Sequence, residues 1–100
     1  MTINSRAIIK TENASKYLVQ LSKHWQHKFE NLTYTQTEAY IPFRENVDLK
    51  MFANSDELAV EIITPDEADA LKMQDVFDKH IVRFAFREDL AIHWDIKTQP

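Results

Sequence analysis

Apolar and polar positions change period several times along the chain, and each change marks an element. Ile3, Ser5, Ala7 and Ile9 alternate with Asn4, Arg6, Ile8 and Lys10, a period of two that predicts a strand. Residues 11–13 break that period and offer helix-capping side chains. From 12 to about 29 the period is helical, with Ala14, Leu18, Leu21 and Trp25 recurring at spacings of three and four to make one apolar face. Tyr17, His24 and Lys28 share one flank of that face, while His27 and Gln20 lie further round towards solvent. Residues 31–43 read as extended: Thr33, Tyr34, Thr35 and Thr37 favour strands, and Ala39, Ile41 and Phe43 alternate with Glu38, Tyr40 and Pro42. Pro42 cannot donate to a ladder, so this strand is expected at an edge or to end there. Turns at 44–46 and 53–56 frame two further runs. In the first, Val47, Leu49 and Met51 alternate with Asp48, Lys50 and Phe52; in the second, Leu58, Val60 and Ile62 alternate with Glu57, Ala59 and Glu61. Such short connections favour an antiparallel meander.

Thr64, Pro65, Asp66 and Glu67 form a helix-start signal, with Thr64 as the expected N-cap, Pro65 as the first helical residue and Glu67 as the return partner of a capping box. The helix that follows carries Ala70, Met73, Phe77, Ile81 and Phe84 on one face, with His80 and Arg87 on its flank and Arg83 further out. Asp66, Glu67 and Asp69 at its start and Lys79, His80 and Arg83 near its end match the helix dipole. Residues 91–97 close the fold as a strand, with Ile92, Trp94 and Ile96 on one face and His93 and Asp95 on the other. The predicted fold is a single α+β domain over residues 1–100 in the order β-α-β-β-β-α-β, with two helices packed on one face of a mostly antiparallel sheet. With three meander strands between them, up-down alternation predicts parallel helices whose equivalent flanks do not face each other. The other sheet face would carry Ile8, Tyr40, Phe52 and Ile63 among charged residues.

Composition narrows the chemistry. The chain has no cysteine, which removes disulfides, thiolate metal sites, iron–sulfur clusters and thiol nucleophiles, and fits a cytoplasmic location. It has no glycine either, so phosphate-cradling glycine loops and dinucleotide fingerprints are excluded as motifs. Turns that need a positive φ must then use asparagine or aspartate, and Asn13, Asn31, Asn46 and Asn54 all fall at element boundaries. No apolar run reaches the roughly 18 residues of a membrane span, and the first ten residues do not read as a signal peptide. A net charge of −4 argues against a nucleic-acid partner.

Two clusters remain, one at the end of each predicted helix. His24, His27 and Lys28 form the first; His80, Arg83 and Arg87 form the second. Together they are candidate ligand-binding residues for a small anion, because arginine offers a bidentate fork and Trp25, Phe84 and Phe86 offer apolar walls. The bland alternative pairs Arg83 and Arg87 with Glu88, Asp89 or Asp95. A metal reading takes His24 and His27 at i, i+3, with His80 as third ligand and Glu30 or Glu88 nearby, but the expected parallel helices work against it. The competing enzymatic reading uses His24 or His80 as general acid or base, and no nucleophile–base pair supports it, since Ser22 points to another side of the helix. A third class is a protein contact, homodimer included, through Tyr40 and Phe52 on the open sheet face. The residues name no cofactor.

The motif His24-Trp25-x-His27-Lys28-Phe29, followed by His80-x-x-Arg83-Phe84-Ala85-Phe86-Arg87-Glu88, resembles the small bacterial family known as domain of unknown function 2218. The resemblance covers nearly the whole chain, including Tyr17-Leu18, Ile41-Pro42-Phe43 and Ile92-x-Trp94. It implies a stand-alone cytoplasmic α+β domain with no established activity. It also implies a link to iron acquisition, through relatives beside or fused to siderophore-interacting flavoproteins. The expected function is a non-enzymatic ligand-binding or interaction module, accessory to iron or siderophore utilisation.

Overall fold

A computed structural model describes residues Thr2 to Gln99. The elements are β1 (Thr2–Lys10), α1 (Ala14–Gln26), β2 (Thr33–Tyr34), β3 (Glu38–Arg44), β4 (Val47–Ala53), β5 (Glu57–Thr64), α2 (Glu67–Phe84) and β6 (Asp95–Gln99). The strands form one sheet in the order β2-β3-β4-β5-β1-β6, and every neighbouring pair is antiparallel. Both helices pack on one face, which confirms the α+β class.

Alternation decides which face is covered. In β1 the buried residues are Ile3, Ser5, Ala7 and Ile9, and in β5 they are Leu58, Val60, Ile62 and Thr64. Leu18, Leu21 and Trp25 of α1 and Phe77 and Ile81 of α2 complete a core with Ile41, Leu49 and Met51. A buried leucine or phenylalanine of this kind contributes roughly 1.5–3 kcal/mol by leaving water. A buried polar bridge across the layers runs from Gln74 Nε2 of α2 to Ser5 Oγ of β1, at 3.0 Å.

One expected strand is two. Residues 31–43 fold back on themselves at Thr35, whose hydroxyl oxygen accepts from the backbone N–H groups of Thr37 and Glu38, while its own N–H donates to the Glu38 carbonyl at 2.7 Å. The threonines that favour strands here serve a turn instead, because a β-branched hydroxyl can also bond the backbone locally. Ser15 Oγ of α1 donates to the Gln36 carbonyl and holds the turn against the helix. Four strands therefore separate α1 from α2. The parity of the up-down path is reversed, and the helices lie antiparallel. Their contacts run in opposite senses: Tyr17 near the start of α1 meets Glu88 beyond the end of α2, and His24 further along meets Phe84 and His80.

The ends of elements differ in detail from expectation. Thr64 is the last residue of β5, and the N-cap of α2 is Asp66, in extended backbone, whose carboxylate accepts from Asp69 N–H at 2.8 Å. Asn13 precedes α1 without a side-chain capping bond, because its amide donates to Glu88. Among the described residues, the only non-glycine positive φ is at Asn46, 66°, in the β3–β4 turn. Asn54 instead closes its turn with its side-chain oxygen, which accepts from Asp56 and Glu57 N–H. Pro42 lies past the reach of the two-residue β2, on the open edge of β3, where the register also shifts. Ile92 and Trp94 come before β6 and pack on the core; the Trp94 ring meets Phe77 edge-on at 5.7 Å and its Nε1–H donates to Asp78. Burial raises the Asp78 carboxyl above its ordinary value, partly offset by that indole bond.

Asn46 gives the turn chemistry a direct test. Asn46→Ala places a Cβ without a compensating polar group in the left-handed region and should cost about 1 kcal/mol, whereas Asn46→Gly should hold stability close to that of the parent. Urea denaturation midpoints read the difference; identical midpoints for the alanine variant and the parent would refute the left-handed turn.

Candidate functional site

The antiparallel packing sets equal flanks of the two helices face to face. On α1 that flank carries Tyr17, Gln20, His24 and, one turn on and just past the helix end, Lys28; on α2 it carries Val76, His80, Arg83 and Phe84. The His24 and His80 rings are 5.2 Å apart, centre to centre, and the Phe84 ring stands edge-on to His24 at 6.1 Å. Trp25, buried beneath them, is 5.2 Å from both His80 and Phe43, and Phe43 is 4.6 Å from Phe29. An unbroken aromatic chain thus runs from Phe29 through the histidine pair to Phe84. Both histidines are half-buried at the seam between the helices.

The tautomer of His80 is set by its partner. Its Nδ1 lies 2.6 Å from the Val76 carbonyl, which can only accept, so Nδ1 carries the proton. In the neutral ring Nε2 is then a free lone pair. His24 has a different constraint. Burial pushes its pKa below the ordinary histidine value, and the positive fields of His80, Arg83, Lys28 and His27 push in the same direction. No carboxylate acts against them. The four ion pairs among the described residues are Arg6–Glu61, Lys10–Glu57, Arg44–Asp69 and Lys79–Asp75, and none involves the cluster.

Five of the six predicted ligand residues therefore share one neighbourhood: His24, His27, Lys28, His80 and Arg83. Arg87 lies apart. Its guanidinium sits 5.4 Å over the Phe86 ring, at a cavity of about 270 Å³ shared with Lys16, Tyr17, Phe84 and Glu88. Neither Arg83 nor Arg87 pairs with Glu88, Asp89 or Asp95 among the described residues. Glu88 is taken instead by Thr11, Asn13 and Tyr17, whose side chains all donate to its carboxylate. These bonds, Tyr17 first, hold the Glu88 carboxyl below its ordinary value, and burial followed by the same carboxylate raises the Tyr17 phenol. With Glu88 so occupied and His27 exposed, the expected metal set does not assemble: among the described residues no three His, Asp or Glu side chains converge. Two features escaped the sequence. Glu88 ties α1 to the chain beyond α2, which only the paired donors Thr11, Asn13 and Tyr17 could have suggested. Gln20 is not turned to solvent: its Oε1 is buried and has no hydrogen-bond partner.

The candidate interface residues Tyr40 and Phe52 are 38% and 47% exposed on the uncovered sheet face. Tyr40 donates to Asp48 at 3.1 Å, a bond that raises its phenol pKa. It stands between two shallow hollows of about 520 and 670 Å³, one reaching Phe52 and the other reaching Lys28 and Arg44. A row of alternating charge, Asp95, Arg6, Glu61 and Lys50, crosses this face from strand to strand. Among the described residues no helix is long and apolar enough to cross a membrane.

A family model described as "Uncharacterized protein conserved in bacteria (DUF2218)" matches residues 6–95. The NMR structure of PA4090 from Pseudomonas aeruginosa is similar, with a TM-score of 0.77 and 32% identity over 93% of this chain and 95% of that one. No curated protein matches the sequence.

Two perturbed groups, His24 in the cluster and Glu88 at the start of α1, should appear in stability against pH. His24 has a folded pKa below 6.5, so the unfolded chain takes up its proton first; this stabilisation is complete above pH 6.5 and is lost as pH falls from there to the folded value. Glu88 has a folded pKa below 4.5, so its contribution is complete above pH 4.5 and is lost as pH falls through the folded value. Chemical denaturation across pH should show two descending steps on acidification. His24→Phe should flatten the upper one and Glu88→Gln the lower; an upper step of the same size in His24→Phe contradicts the assignment.

Proposed function

The chain belongs to the DUF2218 family of uncharacterized bacterial proteins, and we propose that it is a non-enzymatic module that binds a small anionic ligand in the cleft between α1 and α2. The observation that carries this reading is the unneutralised cluster. His24, His27, Lys28, His80 and Arg83 gather without an ion pair among the described residues, although acidic residues outnumber lysine and arginine by 16 to 12 in the whole chain. Like charges held together cost free energy unless something neutralises them, and a bound anion does so with charge-assisted hydrogen bonds. Lys28 and Arg83 are exposed and supply mobile donors at the rim; His24 and His80 are half-buried and supply the floor. Phe84 gives an apolar wall of the kind usual in small-ligand sites. The resemblance implies relatives beside or fused to siderophore-interacting flavoproteins, so a ferric siderophore with anionic groups belongs among the ligands to test.

Acid–base catalysis is the second reading, favoured by one observation: the Val76 bond leaves His80 Nε2 free to take a proton. It needs a reacting group, and among the described residues no side-chain hydroxyl bonds either histidine.

Binding is testable by calorimetry and histidine-resolved NMR with phosphate, citrate and a ferric siderophore. At least one anion should move the His24 and His80 resonances together. Arg83→Ala or Lys28→Ala should weaken it about tenfold, the loss of one charge-assisted bond of roughly 1.5 kcal/mol. Bound anion stabilises the His24 imidazolium, so its pKa should rise on saturation and affinity should grow as pH falls towards 6. Unchanged histidine resonances at saturating concentrations of all three would end this reading.

A further inference from the structure

The uncovered sheet face carries a charge pattern that is complementary to itself. Residues of β6, β1, β5 and β4 stand on it in rows across the strands, and the register fixes each row. One row reads Asp95, Arg6, Glu61, Lys50, and the next reads Lys97, Asn4, Ile63, Asp48. Towards the other end of the face, Ile8 stands beside Ala59 and Lys10 beside Glu57. Four of these residues are acidic and four are basic, so their charges sum to zero. Within the chain only the two inner strands satisfy theirs, through Arg6 with Glu61 and Lys10 with Glu57. Asp95 and Lys97 on β6, and Lys50 and Asp48 on β4, have no ion pair among the described residues. Three strand spacings, roughly 14 Å, separate β6 from β4, so these four cannot satisfy one another within one chain.

A second copy can. When it is turned over on a two-fold axis that runs along the strands between β1 and β5, each row meets itself reversed. Asp95 falls on Lys50 of the second copy, and Lys97 on its Asp48. At the centre Arg6 falls on Glu61, and Lys10 on Glu57. Every charge of the four strands then faces its opposite, and Ile8, 52% exposed, falls on Ala59. A two-fold axis across the strands at the Arg6 row would instead set like on like. The usual crossing of about 30° between packed sheets moves the outer pairs by only a few ångströms, within reach of a lysine side chain. We infer that the open sheet face packs on a second copy of this chain in this register, as a symmetric dimer. Phe52 of β4 lies within the contact, and Tyr40 of β3 lies at its rim.

The contact is modest. Four strands about 4.8 Å apart, each about six residues long, give a face of roughly 400 Å² in projection, at the small end of specific interfaces. The dimer should therefore be weak, with a Kd on the order of tens of micromolar. Sedimentation equilibrium of the whole chain from about 10 to 500 μM should show the mean mass rising from monomer towards dimer. Two rearranged chains test the register. In one, Asp95→Lys with Lys97→Asp exchanges the charges on β6; in the other, Asp48→Lys with Lys50→Asp exchanges those on β4. Both keep the net charge at −4. Alone, each sets like charge on like at all the outer pairs, and its self-association should weaken at least about tenfold. Mixed in equal amounts, each supplies the charges the other needs, and the mean mass of the parent should return. A change within one chain cannot produce that rescue, because neither chain regains its own pattern. A parent that stays monomeric throughout would overturn the dimer. Variants that associate as tightly as the parent, or a mixture no heavier than its components, would overturn the assignment to this face and register.

Discussion

Antiparallel packing of α1 against α2 is the constraint on which the rest depends. Two helices on one sheet face can present equal flanks to each other only if they run in opposite senses. That sense is fixed far from the cleft, by the turn at Thr35 that divides one extended run into β2 and β3. A path with one strand fewer would turn His80 away from His24. The seam is then held at one end by Glu88, whose carboxylate gathers Thr11, Asn13 and Tyr17 from the chain entering and opening α1. Its middle is closed by Trp25 under the histidines. A salt bridge from Arg44 to Asp69, at 2.8 Å, ties the β3–β4 turn to the first turn of α2, so the start of that helix is also fixed to the sheet.

Most of the fold was legible because burial follows period. The alternation of Ile3, Ser5, Ala7 and Ile9, and of Leu58, Val60 and Ile62, survives in the structure position by position. The helical faces of Ala14, Leu18, Leu21 and Trp25, and of Ala70, Met73, Phe77 and Ile81, also lie where their spacing puts them. What failed was local hydrogen bonding, to which hydropathy is blind. Thr35 reads as a strand residue by propensity and acts as a turn residue through its hydroxyl. Thr64 and Asp66 are both competent N-caps, and the sheet decides between them by extending β5 through Thr64. Only Asn46 of the four boundary asparagines adopts a positive φ, because Asn13 and Asn54 use their side chains for bonds instead.

The site was half legible for the same reason. Residue types and helical phase placed His24 and Lys28 on one flank and His80 on another, and these are the groups that meet. Whether they met depended on topology, and one unrecognised turn reversed the answer. Arg87 was grouped with them by helical phase, on the flank of His80, but α2 ends at Phe84, and beyond it that phase no longer applies. The burial of the Gln20 amide oxygen was not legible either, because its helical phase alone points outward.

The electrostatics of the cleft make the most economical argument for what it is. The helix dipole favours basic residues near the end of each helix, but it does not require the two sets to meet across the seam. Burial already disfavours the charged form of His24, and each nearby cation adds to that cost. Four cations elsewhere are ion-paired, Arg6 with Glu61, Lys10 with Glu57, Arg44 with Asp69 and Lys79 with Asp75, and an alternating row of charge crosses the open sheet face. Lys28 and Arg83 have no such partner among the described residues, and they lie beside a half-buried histidine whose charged form is already disfavoured. Natural sequences keep a local conflict of this kind mainly where function requires it. A bound anion would offset both costs, because it meets the two cations and favours the imidazolium of His24.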